Sequence, residues 1–124
     1  MASHHFIGTG PYSQSLARLT PDPDVLLSKI ADQIGAVGFE VMLRDSAVFA
    51  NGGRTFVWIL AESHLVLHYW HEEGFATIDL HICDYHDSNA AKAEELVEAL
   101  EELCFLPRTA VWERLALKEP LVPA

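Results

Sequence analysis

The residues best placed to do chemistry are Ala61-Glu62-Ser63-His64, four small or polar positions set between two apolar, strand-like runs. An interruption there has two readings. One is a bulge or tight turn carrying a surface Ser and His, because Ser and acidic residues commonly occupy turns. The other is a nucleophile held next to strained backbone.

Strand periodicity extends the second reading. Residues 64, 66 and 68 share a face of the strand after the break, so His64 and His68 point the same way and His68 is the expected neighbour of Ser63. On the following strand Asp79, His81 and Cys83 share a face by the same rule, so a Ser, a His and a Cys are expected to converge across adjacent strands. Cys83 also reads as a small buried hydrophobe, the commonest fate of a free Cys. The seven His raise a metal site at His64, His68 and His71, or at His81 and His86. Their spacing fits no helical HExxH and parity sets His71 apart, so no metal is expected. Cys83 and Cys104 form no CxxC pair, and no disulfide framework is expected.

The elements that must position these side chains follow from turn residues and periodicity. Residues 4–8 read as a short strand that Gly8, Gly10 and Pro11 end in a turn. Thr20 or Asp22 can cap a helix, Pro23 suits its first turn, and Leu27, Ile30, Ala31 and Ile34 recur at helical spacing up to Gly35–Gly38. Residues 39–43 alternate weakly as a strand, and Asn51-Gly52-Gly53 supplies a turn. Residues 55–60, 65–69 and 76–82 then read as three adjacent strands, with Gly74 between the last two. A second helix follows Asp87 or Ser88, with Ala93, Leu96, Val97, Leu100 and Leu103 in one apolar stripe and glutamates on the other faces. Pro107 stops it, residues 109–117 return to a strand pattern, and residues 120–124 form a Pro-containing tail.

This order predicts a single α+β domain over residues 1–124, a two-layer sandwich of a mainly antiparallel sheet with two helices on one face. The other face needs cover, and a second copy pairing sheet to sheet is the simplest supplier, so a homodimer or higher homo-oligomer is expected. The chain has 124 residues, half of them apolar, and a formal net charge of −10. That balance argues against a nucleic-acid binder, which needs a basic face. Much of the acid is local to Glu94, Glu95, Glu98, Glu101 and Glu102, a solvated helix face. No stretch approaches the ~18 apolar residues of a membrane span and residues 1–10 do not read as a signal peptide, so the expected location is the cytoplasm.

From Leu60 to Cys83 the sequence LAESHLVLHYWHEEGFATIDLHIC resembles, without gaps, the core of the prokaryotic S-adenosylmethionine decarboxylases, which are self-cleaving and pyruvoyl-dependent. Ser63, His68, Trp70, Glu72, Gly74, Asp79 and Cys83 are in register, and the resemblance is specific over residues 49–83. It implies that the Ser63 hydroxyl attacks the Glu62 carbonyl to form an ester, and that β-elimination and hydrolysis leave a pyruvoyl group. The chain would split between Glu62 and Ser63 into fragments 1–62 and 63–124. His68 matches the residue that promotes processing and Cys83 the proton donor of the decarboxylation, in which the pyruvoyl ketone forms a Schiff base with the α-amine of a small amino-acid-type substrate. Phe49 and Trp70 match aromatic positions near the nucleoside, and Glu72 the carboxylate that accepts from ribose hydroxyls.

The sequence departs from that family at five places. Ala61 replaces a Ser, Thr55 a Ser, Tyr69 a Thr, His71 a Pro and Asp84 a Gly. Thr55 keeps a hydroxyl and is a supporting residue, whereas bulk at Tyr69 and His71 and charge at Asp84 are expected to bear on the pocket. Decarboxylation of S-adenosylmethionine to the aminopropyl donor for spermidine synthesis is the first expectation. Asp84 and the acidic composition leave ornithine or arginine as alternative substrates, and Ala61 and Asp84 leave a non-cleaving regulatory or binding partner.

Overall fold

A computed structural model describes residues 1–118; the tail expected at residues 120–124 lies outside them. The chain runs β1 (Ala2–Pro11), α1 (Gln14–Leu19), α2 (Pro23–Ala36), β2 (Val41–Val48), β3 (Arg54–Leu60), β4 (Ser63–Trp70), β5 (Phe75–Cys83), α3 (Ala90–Cys104) and β6 (Val111–Lys118). The strands form one six-stranded sheet in the order β2-β3-β4-β5-β1-β6, and every neighbouring pair is antiparallel. The helices cover one face, as the α+β reading requires. No helix among the described residues is long and apolar enough to cross a membrane.

Strict alternation in the central strands decides which side chains meet the helices. In β4 and β5 every second residue is buried, and Leu65, Leu67, Ile78, Leu80 and Ile82 pack with Leu26, Ile30 and Ile34 of α2 and Leu96, Val97 and Leu100 of α3. Trp58 of β3 is fully buried in that layer and donates its indole N–H to the Leu27 carbonyl at 3.0 Å, which satisfies the polar atom this ring carries into the core. The opposite face keeps the other half of each strand. Ile59, Ile7 and Leu115 lie there at 42, 50 and 55% exposure, apolar side chains on either side of a polar centre that one protomer leaves uncovered.

The structure corrects several sequence expectations. Among the described residues there are three helices, not two. The additional α1 has only six residues, and its single buried side chain, Leu16, is too little to set up a periodic stripe. Its N-cap is Ser13, whose hydroxyl accepts from the Leu16 N–H at 3.0 Å. Thr20 closes α1 and Asp22 caps α2, so the Thr20-to-Pro23 signals serve two helices. β1 does not turn at Gly8 and Gly10. A Cβ on Gly8 would stand 2.7 Å from the Trp112 ring, and one on Gly10 would stand 3.0 Å from Ala110 Cα, so these glycines mark close approach of β6 and not a bend. β2 begins after Phe39, which is buried in the core, and runs on to Val48 through residues with no alternation, because pairing with β3 and not burial makes it a strand. The cap of α3 is Asn89 and not Asp87 or Ser88.

Candidate active site

β3 and β4 are joined by only Ala61 and Glu62, with Leu60 and Ser63 paired across the turn. A two-residue hairpin loop ordinarily takes its left-handed backbone at a Gly or Asn in the loop. Neither residue is present, and the positive φ falls instead on Ser63, at 148°. For a residue with a Cβ this conformation stores about 1–3 kcal/mol. The peptide ahead of Ser63 is held on several sides. The Glu62 carbonyl oxygen accepts from the Cys83 N–H at 2.8 Å and the Ala61 N–H donates to the Glu40 carbonyl at 2.9 Å. The Glu62 carboxylate accepts from the Glu40 N–H at 3.2 Å. A cleft of about 480 Å³ opens beside the turn, between it and Asn89 and Lys92 at the start of α3.

Around Ser63 the open face carries an imidazole row. His64 Nδ1 lies 3.3 Å from the Ser63 hydroxyl. His64 is opposite His81, and His81 is opposite His5. The Cys83 thiol is on the same face, with Sγ 3.8 Å from His81 Nε2. The convergence of Ser, His and Cys therefore exists, but with His64 and His81 as the histidines.

His68 is elsewhere. It lies five residues along β4 from Ser63, about 16 Å at strand rise, so the expectation that it neighbours Ser63 is corrected within one chain. Its Nδ1 is 2.9 Å from the Thr55 hydroxyl, directly across from it on β3, and its ring stacks near Trp70 with centroids 5.9 Å apart. Trp70 backs onto Gly53, where a Cβ would come within 3.4 Å of the ring. Phe49 closes the same turn, its N–H donating to the Gly53 carbonyl at 2.8 Å, and is 48% exposed. Glu72 is exposed in the turn after β4. Thr55, His68, Trp70, Phe49 and Glu72 thus gather at one end of the sheet, with Ser63 and Cys83 at the other.

Three of the departures from the family pattern turn out to face the helices. Tyr69 is buried among core residues and its ring lies 4.7 Å from Tyr12; burial and the Tyr12 hydrogen bond raise its phenol above the ordinary value. With His71, Arg54 and Thr20 it lines a cavity of about 230 Å³ on the helix side. Asp84 accepts from His4 at 3.0 Å and from the Asn89 N–H at 2.8 Å, while the Asn89 side chain donates to the Cys83 carbonyl at 2.9 Å. Burial alone would raise the Asp84 carboxyl, but the hydrogen bonds from Asn89 and His4 outweigh it and hold the group below its usual range. Asp84 therefore anchors the segment after Cys83. Among the described residues no group of three or more His, Cys, Asp or Glu side chains is arranged to hold a metal. His4, His5 and Asn89 were missed as contributors, because only the pairing of β1 with β5, which no local pattern reveals, brings the first two here.

The same α+β architecture, an antiparallel sheet with helices on one face, recurs in a solved structure. That structure, adenosylmethionine decarboxylase from Aquifex aeolicus, superposes with a TM-score of 0.68 at 20% identity, over 98% of this chain and 92% of that one. Residues 14–104 match the family model described as S-adenosylmethionine decarboxylase. The S-adenosylmethionine decarboxylase proenzyme of Pyrobaculum arsenaticum is 33% identical over 85 residues, 68% of either chain. The proenzyme of Symbiobacterium thermophilum is 44% identical over 52 residues, 42% of this chain and 39% of that one. The chain belongs to the S-adenosylmethionine decarboxylase family.

Proposed function

We propose that this protein cleaves itself between Glu62 and Ser63, carries a pyruvoyl group made from Ser63, and decarboxylates S-adenosylmethionine. The observation that carries the reading is the backbone at the cleavage point, where Ser63 sits at φ 148° and the Glu62 carbonyl is held by the Cys83 N–H at 2.8 Å.

Cleavage follows from these contacts. The Ser63 hydroxyl, oriented by His64 Nδ1 at 3.3 Å in the same chain, attacks the Glu62 carbonyl carbon, and its proton goes to the His68 imidazole of a facing protomer. Charge then develops on the Glu62 oxygen, and the Cys83 N–H, already within the 2.7–3.1 Å typical of oxyanion donors, stabilises it. Collapse breaks the C–N bond and moves the acyl group to oxygen. Loss of the Ser63 Cα proton expels the Glu62 carboxylate and leaves dehydroalanine, and water converts this to the ketone with release of ammonia. The strain at Ser63 is relieved when the peptide bond breaks, so it lowers the barrier to the first step. The fragments 1–62 and 63–124 stay together because β3 and β4, on either side of the break, remain paired along their length.

A pyruvoyl group at position 63 would supply a ketone for Schiff-base chemistry with the substrate α-amine and an electron sink for decarboxylation. Cys83, on the open face next to this position, supplies the proton that replaces the carboxylate. Thr55 fixes the His68 ring through Nδ1, leaving Nε2 for the reaction. Trp70 and Phe49 offer aromatic surface to a purine, and exposed Glu72 offers acceptors to ribose hydroxyls.

These groups cannot act on one site within one protomer, since Ser63 and Trp70 are seven residues apart on a strand, about 23 Å. Two protomers stacked antiparallel through their open faces bring the Thr55–His68–Trp70 end of one against the Ser63–Cys83 end of the other. The exposed apolar side chains Ile59, Ile7 and Leu115 supply the driving force for that contact. The substrate assignment is supported by family membership and by the retained Phe49, Trp70 and Glu72. The acidic residue that favoured ornithine or arginine, Asp84, is engaged by His4 and Asn89 on the helix side. Intact mass spectrometry under denaturing conditions tests the proposal. Two fragments split at Glu62–Ser63, the second with a pyruvoyl end, are expected; one persistent full-length mass overturns it in favour of a non-cleaving partner.

A further inference from the structure

The Ser63 and Cys83 side chains are linked by a row of histidines, of which the central one has no role in the mechanism above. His64, His81 and His5 stand opposite one another on β4, β5 and β1. The His5 and His81 rings stack with centroids 3.8 Å apart and 27° between planes, and His64 meets His81 edge-on at 5.3 Å. The row is bounded across the sheet by Ile59 beside His64 and Leu115 beside His5. At one end His64 reaches the Ser63 hydroxyl, and from the centre His81 Nε2 reaches Cys83 Sγ at 3.8 Å. Hydrocarbon side chains would fill the row as well as imidazoles do. What imidazoles add is the ability to take and give protons near neutral pH.

We propose that His81 is the positioning and proton-relay residue for Cys83. This rests on the decarboxylase reading and names a residue that it does not otherwise use. As the product forms, the Cys83 S–H bond breaks and a C–H bond forms at the carbon that lost carbon dioxide. The sulfur, left as thiolate, takes the Nε2 proton of His81 in its imidazolium form, so the pair passes from thiolate and imidazolium to thiol and neutral imidazole. His81 then regains a proton from water through the partly exposed edge of the row, so each turnover consumes the one proton that decarboxylation requires. The groups facing His81 include His5 from β1, His64 from β4, and Cys83 and Asp79 two positions either way along β5. The His4–Asp84 pair belongs to the other face of the sheet.

The test uses the full chain carrying His81→Gln, which keeps a polar atom near the Nε2 position but does not titrate, and His81→Phe as a second variant. Alkylation of Cys83 by iodoacetamide at pH 7 is followed by peptide mass, with buried Cys104 as the internal unreactive control. On the same samples intact mass reports cleavage at Glu62–Ser63, and kcat and KM are measured for S-adenosylmethionine. Alkylation about tenfold slower in both variants is expected, with kcat reduced about 10²-fold and KM unchanged. Alkylation at the parent rate in His81→Gln overturns the pairing of His81 with Cys83. Slowed alkylation with parental kcat overturns the relay. A parent chain that never cleaves refutes the decarboxylase reading instead, and the alkylation rates still report on the histidine and thiol.

Discussion

The Cys83 backbone N–H donates to the Glu62 carbonyl oxygen over 2.8 Å, whereas the Cys83 side chain leaves the strand toward His81 on the open face. In the proposed mechanism one residue would therefore serve self-cleavage through its main chain and turnover through its thiol. Asn89 and Asp84 hold the end of that strand: the Asn89 side chain bonds the Cys83 carbonyl, and Asp84 bonds the Asn89 N–H.

The two roles of Cys83 separate on mutation. Cys83→Ala keeps the amide donor, so it is expected to cleave to the same two fragments at close to the parental rate. Removing the proton donor should lower kcat by roughly 10²–10⁴-fold, the usual worth of a positioned acid. Intact mass and product formation read the two effects on one preparation. An uncleaved variant would show that the side chain is needed for processing, and an active one would remove Cys83 from the chemistry.

Strain at Ser63 exists because Ala61 and Glu62 offer no residue suited to left-handed backbone. In Ala61→Gly the loop can take that conformation itself and release Ser63. Cleavage should then slow roughly five- to a hundredfold, the rate equivalent of the 1–3 kcal/mol that such strain stores. A time course of intact mass after cell-free synthesis measures this. Cleavage at the parental rate would mean that the positive φ of Ser63 contributes nothing to the barrier.

The separation of Ser63 from the Thr55–His68 pair predicts that His68 acts on the neighbouring protomer. Ser63→Ala and His68→Ala chains are each expected to remain uncleaved alone. Co-expressed, the His68→Ala chain should be cleaved in mixed dimers, because its intact Ser63 faces the other chain's His68. Tagging the two variants differently allows each mass to be followed. If the His68→Ala chain stays whole in verified mixed dimers, His68 does not work across the interface.

What the sequence made legible follows the range of the signal. The alternation in residues 65–69 and 76–82 placed His64, His81 and Cys83 on one face because period two needs no tertiary information. The glutamate-rich helix was legible for the same reason, its stripe from Ala93 to Leu103 being local. Sharing a face with His64 does not bring His68 to Ser63, because five steps of strand rise run from position 63 to position 68. Gly8 and Gly10 were misread because a glycine in a turn and one beneath a tryptophan ring look alike without Trp112 in view. Tyr69, His71 and Asp84 looked like changes to a substrate pocket until the odd parity of Tyr69 and the contacts of Asp84 turned them toward the helices.

Asp84 also leaves a signature in stability. Its side chain is 17% exposed, and its hydrogen bonds from Asn89 and His4 hold the folded carboxyl below the ordinary value of 3.8. A carboxyl whose folded value is depressed adds stability above its unfolded value and loses it as pH falls through the folded one. The parent should therefore be more stable than Asp84→Asn above about pH 4, and the difference should narrow steadily at lower pH. Urea midpoints of both chains across that range provide the check. Because Asp84 faces the helices, the same substitution should leave cleavage at Glu62–Ser63 intact near neutral pH. A stability difference that widens in acid, or one that ignores pH, would mean that the Asp84 charge is not what anchors the end of β5.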